Sequence, residues 1–168
     1  MSHVSSSSES SLLVRDARGR YLPATADQIL LAARLVIDQK MQRGADIGSP
    51  ADVKAYLTTK LAGLDHEVFA VLFLDTRHRL IEYVEMFRGT IDGATVHPRE
   101  VVKEALRRNA AAVILAHPHP SGNPEPSAAD KAITHQLREA LALIEVRTLD
   151  HIVVAGNATV SFAERGLL

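Results

Sequence analysis

Apolar residues recur along this chain in two patterns, one typical of helices and one typical of buried strands. In several segments they are spaced three or four positions apart, so that they fall on one side of an α-helix. This spacing predicts four amphipathic helices, over residues 25–44, 49–63, 97–109 and 127–144. The first begins with a capping box, Thr25-Ala26-Asp27-Gln28, and the second has Pro50 at its first helical position.

Two other segments are unbroken apolar runs of strand length, and a third segment holds a further apolar strand. They span residues 68–74, 111–116 and 146–155. A partly alternating segment at 80–87 and a short one at 158–162 predict hairpin partner strands. Strands that are apolar on both faces must be covered by other elements on both sides. Because the predicted helices alternate with these strands, we expect an α/β fold, an α/β/α sandwich on a mixed sheet.

The amino-terminal part of the chain has a different composition. Residues 1–24 are Ser-rich, then polar, and they lack periodicity, which predicts a flexible tail. Residues 25–48 are predicted to form a helix and a linker, and residues 49–168 to form one domain. A chain of 168 residues is long enough to bury one full hydrophobic core.

Composition removes several classes of function. The formal net charge of −1 excludes a strongly basic nucleic-acid-binding protein, though not a local basic patch. The absence of Cys excludes disulfides, Cys-based zinc sites and thiol catalysis. No apolar run reaches the length of about 20 residues needed to span a bilayer, and the amino terminus lacks the features of a signal peptide. We therefore expect a cytoplasmic protein that does not contact membranes.

A Pro-rich loop at residues 117–130 carries the clearest chemical signal. His117 and His119 are two positions apart, so in an extended chain both side chains face the same side. Asp130 falls in the first turn of the following helix, from where it can return toward the strand end. Two imidazoles and one carboxylate leave a fourth position open on a tetrahedral Zn²⁺, as in catalytic zinc sites. The sequence therefore predicts a zinc site made by these three residues.

A simpler explanation covers part of this loop. Ser127 and Asp130 also form a capping box, which alone would explain both residues. It does not explain the His pair, and the spacing His-x-His-x7-Ser-x2-Asp arises by chance in only about one in a thousand chains of this composition. A cap can also position a ligand, so the two interpretations are compatible. A zinc deaminase would need Cys, and a helical His-Glu-x-x-His motif is absent.

A hydrolase with this site needs a carboxylate that takes a proton from water. The upstream candidates are Glu67, Glu82, Glu85 and Glu100. Glu67 comes directly before the first buried strand, whose start lies beside His117 if that strand is antiparallel to residues 111–116. The others are explained by a solvated strand face or by a helix dipole. The pair Asp150-His151 either orients a metal ligand or is a polar step on a strand, and the second interpretation is favoured.

These motifs together resemble those of the RadC-like branch of the JAB/MPN (JAMM) metalloproteins, from about residue 50 to 166. The matching stretches are EVFAVLFLD at 67–75, FRGT at 87–90, HPRE at 97–100, the loop at 117–130, LDHIVV at 149–154 and SFAERG at 161–166.

The resemblance implies a JAB/MPN fold, whose layers are similar to those of the cytidine deaminases. It implies that His117, His119 and Asp130 bind Zn²⁺. It also implies that Glu67 is the catalytic base and acid, and that Ser127 steadies a developing oxyanion. JAMM relatives hydrolyse peptide or isopeptide bonds, so the implied activity is that of a zinc-dependent hydrolase of metalloprotease type, acting on a protein or peptide substrate.

Two departures from the family pattern bear on function. Pro118 stands between the two His, where the family usually has Asn; we expect metal binding to survive this change, without the substrate contacts of the Asn side chain. RadC-like proteins are commonly labelled as DNA repair proteins and carry a helix-hairpin-helix region, and no such motif is visible before residue 49. The cations at 99–108 alternate with Glu and predict a solvated helix face. The alternatives to a hydrolase are a non-catalytic or DNA-associated module and a metal-dependent nuclease.

Overall fold

A computed structural model describes residues 12–47, 49–61, 63–64, 66–89 and 95–168. These residues form seven strands and four helices. The strands are β1 (Leu13–Arg15), β2 (Tyr21–Pro23), β3 (Val68–Leu74), β4 (Leu80–Arg88), β5 (Ala112–Pro118), β6 (Arg147–Ala155) and β7 (Ala158–Ser161). The helices are α1 (Ala26–Lys40), α2 (Pro50–Leu61), α3 (Pro98–Arg107) and α4 (Ala128–Ala142).

Five strands form one mixed sheet in the order β4-β3-β5-β6-β7. Strand β3 is antiparallel to both β4 and β5, whereas β5 and β6 run parallel and are connected through α4. Every residue of β3 and β5 is buried, which agrees with the apolar runs at 68–74 and 111–116. The prediction of a mixed sheet with buried central strands is therefore confirmed.

Strand β3 contributes to two separate cores, because consecutive side chains of a strand point to opposite faces of its sheet. On one face, Leu72 and Leu74 belong to a buried cluster that includes Tyr56 and Leu57 of α2. Partly buried Ile37 of α1 packs against the same cluster. Helix α2 therefore covers this face of the sheet.

The other face of the sheet is covered by α3 and α4. Val71 and Phe73 of β3 belong to the second buried cluster. Its helical members are Val101, Ala105, Leu137 and Leu141. Helices thus pack on both faces of the sheet, and the predicted α/β/α sandwich is confirmed.

The segment predicted as a flexible tail contains a short hairpin. Residues 1–11 lie outside the described residues, but residues 13–23 form an antiparallel hairpin in which Leu13 pairs with Pro23. The carboxylate of Asp16 accepts hydrogen bonds from the backbone N–H groups of Arg18 and Arg20, and Gly19 supplies the left-handed φ of 81° that closes the turn. This hairpin was not predicted, because strands of three residues each are too short to show a period in the sequence.

The helices of the described part are short. Helices α1 and α4 have 15 residues each, whereas crossing a bilayer takes about 20. Within the described ranges, no helix is both long enough and apolar enough to cross a membrane. The cytoplasmic location stays a prediction, as do the domain boundaries, one of which falls at Gly48, outside the described residues.

Candidate metal centre

Strand β5 extends two residues further than its apolar run predicts and includes His117 and Pro118. The reason is its parallel partner β6, in which Val153 and Val154 pair with these two residues. The backbone N–H of His119 then donates to the carbonyl of Val154 at 2.7 Å. This pairing keeps the chain extended, so that the side chains of His117 and His119 face the same side.

The side chains of His117, His119 and Asp130 converge, as predicted. The two Nε2 atoms lie 2.9 Å apart, and Asp130 places Oδ1 3.1 Å from the first and Oδ2 3.4 Å from the second. A tetrahedral zinc ion with bonds of about 2.0–2.1 Å holds its ligand atoms about 3.3 Å apart. The three potential ligand atoms all lie within 4.8 Å of one another. The spacing and chemistry of the donors therefore fit a divalent metal ion.

Helix α4 delivers Asp130 through the capping box that the sequence contains. Ser127 is the N-cap residue: the N–H of Asp130 donates to Ser127 Oγ at 3.1 Å, and the N–H of Ser127 donates to Asp130 Oδ2 at 2.7 Å. The Ser127 hydroxyl also donates to Oδ2, at 2.7 Å. The cap and the convergence with the His residues coexist, because the cap holds Oδ2 while Oδ1 faces His117.

The charges of this cluster shift its protonation equilibria. Burial raises the pKa of Asp130, but hydrogen bonds with His117 and His119 outweigh burial and hold that pKa well below its usual range. The pKa of His119 is raised, mainly by its hydrogen bond to Asp130 and further by the carbonyl of Asn123 and the nearby charge of Glu67. Asp130 is therefore ionised at neutral pH, which is the form that binds a metal.

The ring of His119 is oriented by its own loop. Its Nδ1 lies 2.7 Å from the backbone carbonyl of Asn123, so Nδ1 carries the hydrogen and Nε2 faces Asp130. The loop returns because the N–H of Gly122 donates to the carbonyl of His119 at 3.0 Å, with a φ of 77° that favours glycine. A backbone carbonyl thus fixes the ring in a metal-binding orientation.

His151 contacts one of the predicted ligands. It is fully buried in β6, with Nε2 2.9 Å from His117 Nδ1 and Nδ1 2.6 Å from Thr134 Oγ1. Burial lowers its pKa well below the usual value, so it is neutral. The contact with His117 agrees with the alternative interpretation, in which His151 lies behind a predicted metal ligand, better than with a polar step on a strand. The available signal was a His inside an otherwise apolar strand segment.

Asp150 does not take part in this contact with a predicted ligand. Its carboxylate accepts hydrogen bonds from the backbone N–H groups of His151 and Ala163 and from the hydroxyl of Ser161. The bonds from Ser161 and Ala163 connect β6 to the end of β7 and to the residues just beyond it. Of residues 150 and 151, it is therefore His151 that contacts the cluster of potential metal ligands.

A cavity of about 380 Å³ opens beside the three potential ligands. Its polar lining includes Glu67, Ser121 and Ser127, and its apolar lining is Val68, Phe69, Val96, Ala129 and Ile133. Glu67 reaches this cavity because β3 is antiparallel to β5 with Ala70 opposite Ala116, so that the start of β3 lies beside the end of β5. Strands β3 and β5 are therefore antiparallel, as the choice of Glu67 over the other candidates required.

The other three candidate carboxylates contact different partners. Glu82 pairs with Arg108 at 2.9 Å, Glu85 accepts from the hydroxyl of Tyr83 at 3.2 Å, and Glu100 pairs with Lys103 at 2.8 Å. The lining of the metal-site cavity does not include them. Their interpretation as ordinary surface charges agrees with these contacts.

Two features together are typical of a JAB/MPN-type domain. One is the mixed sheet with helices on both faces. The other is the His-x-His pair at the end of a central strand, followed by an Asp on the next helix. The RadC-like JAB domain family matches residues 47–167. The chain is 55% identical over 154 residues to a UPF0758 protein of Vibrio cholerae, covering 90% of this chain and 97% of that one. The chain belongs to the RadC-like JAB domain family.

Two further relatives are longer than this chain. A UPF0758 protein of Marinobacter nauticus is 57% identical over 136 residues, covering 81% of this chain and 61% of its own length. One of Leptothrix cholodnii is 59% identical over 138 residues, covering 82% of this chain and 62% of its own length. The chain thus spans less than two thirds of these relatives.

Proposed function

We propose that this protein is a zinc-dependent hydrolase that cleaves peptide or isopeptide bonds. The observation that carries the proposal is the convergence of His117, His119 and Asp130 on the wall of a cavity that Glu67 also lines. A site with three protein ligands leaves a coordination position open for chemistry. Family membership supports the same reaction class without naming a substrate.

Zinc fits the donor set better than the hard cations do. Two imidazole nitrogens and one carboxylate suit zinc and other borderline metals, whereas Mg²⁺ and Ca²⁺ prefer oxygen ligands throughout. Because the chain has no Cys, imidazole is the side chain best suited to bind a borderline metal ion such as zinc. When bound, zinc lowers the pKa of a water molecule and polarises the carbonyl group to be attacked.

Glu67 is the proposed base and acid. Its carboxylate would take a proton from the attacking water and later give it to the nitrogen of the leaving amine. Its place directly before β3, in the cavity lining shared with His117 and His119, supports this role. The negative charge of Glu67 also helps to raise the pKa of His119.

Ser127 is proposed to donate a hydrogen bond to the developing oxyanion. Its hydroxyl donates to Asp130 Oδ2 at 2.7 Å, so it would have to turn toward the substrate, while its backbone N–H keeps the carboxylate in place. The wall formed by Val68, Phe69 and Ile133 would take an apolar part of a protein or peptide substrate.

A DNA-associated module or a nuclease has less support. The cations of α3 are mostly neutralised by neighbouring acids: Lys103 pairs with Glu100, and Arg107 pairs with Glu104. Arg108, which contacts Glu82 and Glu104, is largely buried. A phosphate backbone needs exposed and unpaired cations in an array. We therefore favour the hydrolase.

Metal analysis of protein purified without added zinc tests the proposal. We expect close to one zinc ion per chain in the wild type and close to none in His117→Ala. His135→Ala is the matched control, because His135 is an exposed imidazole on α4 that pairs with Glu139 and takes no part in the His117–His119–Asp130 cluster. A wild-type zinc content near zero, unchanged by His117→Ala, would contradict the proposal.

Activity is tested separately with peptide and isopeptide substrates. Glu67→Gln should keep its zinc and lose about 10²–10⁴-fold in rate, the usual contribution of general acid–base catalysis. Unchanged activity in Glu67→Gln, together with salt-dependent DNA binding, would favour the DNA-associated module. Nucleic-acid cleavage that depends on both zinc and Glu67 would favour the nuclease.

A further inference from the structure

His151 and Thr134 form a buried hydrogen-bonded connection behind the three potential metal ligands. Starting at the cavity, His117 Nδ1 lies 2.9 Å from His151 Nε2, and His151 Nδ1 lies 2.6 Å from Thr134 Oγ1. Thr134 Oγ1 in turn lies 2.5 Å from the backbone carbonyl oxygen of Asp130. The connection therefore begins at one proposed ligand and ends on the backbone of another.

The direction of each hydrogen bond follows from the backbone carbonyl oxygen of Asp130, which can only accept. A carbonyl oxygen has no hydrogen, so the single hydroxyl hydrogen of Thr134 must point to Asp130. Thr134 Oγ1 then accepts from His151 Nδ1, which leaves His151 Nε2 without a hydrogen. His117 must therefore donate from Nδ1, and its Nε2 presents a lone pair to the metal position.

The connection is held by packing as well as by hydrogen bonds. The ring of His151 stacks on Phe162, with centroids 4.7 Å apart, and meets the edge of Phe69 at 5.5 Å. His151 lies opposite Leu115 in the parallel β5–β6 pair, on the same side of the sheet as His117, because residues 115 and 117 of a strand share a side. No solvent reaches the ring, since His151 is 0% exposed.

We infer that His151 and Thr134 are positioning residues of the metal site, which together hold His117 in the tautomer whose Nε2 can bind an ion. The inference rests on the proposed metal site. A hydrogen-bond acceptor behind a ligating imidazole fixes the ring orientation and raises the basicity of the ligand. Here the acceptor is a second, buried imidazole, whose own tautomer is set by a threonine on the helix that carries Asp130.

Paired substitutions separate positioning from packing. Thr134→Val keeps the shape of the side chain and removes the hydroxyl, whereas Thr134→Ser keeps the hydroxyl. We expect Thr134→Val to weaken zinc binding about 10-fold or more, in the range usual for groups behind a metal ligand, and Thr134→Ser to keep the wild-type affinity. Zinc affinity is measured by competition with a chelator, independently of any hydrolytic activity.

A second pair tests His151 directly. His151→Phe keeps an aromatic ring in the same packing but offers no acceptor to His117 Nδ1, so we expect a loss of about 10–100-fold in zinc affinity. His151→Gln, with an amide oxygen as the replacement acceptor, should recover part of this loss. If His151→Phe fails to fold, the Thr134 pair still decides the matter.

Imidazole ¹⁵N NMR spectra of the wild-type protein show which ring nitrogen carries the hydrogen, which packing alone does not determine. We expect His117 and His151 both to carry their hydrogen on Nδ1, and Thr134→Val to weaken that preference in His151. A hydrogen on Nε2 of His151 in the zinc-loaded wild type would overturn the inference. So would equal zinc affinity in the wild type, Thr134→Val and His151→Phe, and that result would leave the proposed metal site standing. A wild type that binds no zinc would overturn both.

Discussion

His117 and His119 present their Nε2 atoms to each other at 2.9 Å at the end of the central strand β5, with Pro118 between them. This proximity comes from the extended backbone at the end of β5, which continues to His119, because residues two apart in an extended chain share a side. The partly buried carboxylate of Asp130 lies against both rings. An ion placed among these atoms would replace contacts between the side chains with metal–ligand bonds.

Zinc should therefore stabilise the folded protein. At a free zinc concentration 100 times Kd, binding adds about 2.7 kcal/mol to the free energy of unfolding, because the unfolded chain does not hold the three ligands together. Asp130→Asn should lose most of this increment, which is measured by denaturant unfolding with zinc and with a chelator. An equal increment in the variant would contradict the role of Asp130.

The capping box of α4 should contribute to metal binding, whereas that of α1 should not. Ser127→Ala and Thr25→Ala each remove an N-cap side chain, which usually stabilises its helix by about 1 kcal/mol. Only Ser127 also donates to Oδ2 of Asp130. We expect zinc affinity to fall in Ser127→Ala and to stay at the wild-type value in Thr25→Ala, as measured by chelator competition. The same loss in both variants would argue against the link.

Anchoring of α4 should depend on the residues that face the sheet. Leu137 is 0% exposed and belongs to the core formed with β3 and β5, whereas Leu143, just after the helix, is 87% exposed. Leu137→Ala should lower the free energy of unfolding by about 2–5 kcal/mol through the lost burial and the cavity. Leu143→Ala should change it by less than about 0.5 kcal/mol. Similar losses in the two variants would contradict the assigned packing.

Alkaline pH should destabilise the fold through two tyrosines on the α2 side of the sheet. Burial, aided by the negative charge of Asp38, raises the pKa of Tyr56, and burial with the charge of Glu85 raises that of Tyr83. In the unfolded chain both groups titrate near pH 10. Above that pH the unfolded state loses protons that the folded state retains, so stability is full below about pH 10 and falls as pH rises beyond it.

Replacing one of these hydroxyl groups tests the prediction. Tyr56→Phe should flatten the decline of unfolding free energy above about pH 10. Tyr21→Phe, at an exposed position of β2, should leave the slope unchanged. The measurement is denaturant unfolding at a series of alkaline pH values. An unaltered slope in Tyr56→Phe would exclude Tyr56 as a cause.

The sequence determined the parts of this protein that depend on local backbone geometry. The buried strands and the amphipathic helices follow from periods of two and of three to four residues, which a single segment displays by itself. His117 and His119 share a side because they are two apart in an extended chain. Asp130 returns to them because the capping box places it in the first turn of a helix. This much of the site could therefore be recognised without the structure.

Only the tertiary structure decided what depends on contacts between distant segments. His151 is 34 residues from His117 in sequence, and it is the register of β5 and β6 that places the two rings on one side of the sheet. The same pairing extended β5 through Pro118. The position of Glu67 in the cavity likewise depended on the direction of β3 relative to β5. Strand register and direction are set by the packing of the whole sheet, so no single segment of the sequence encodes them.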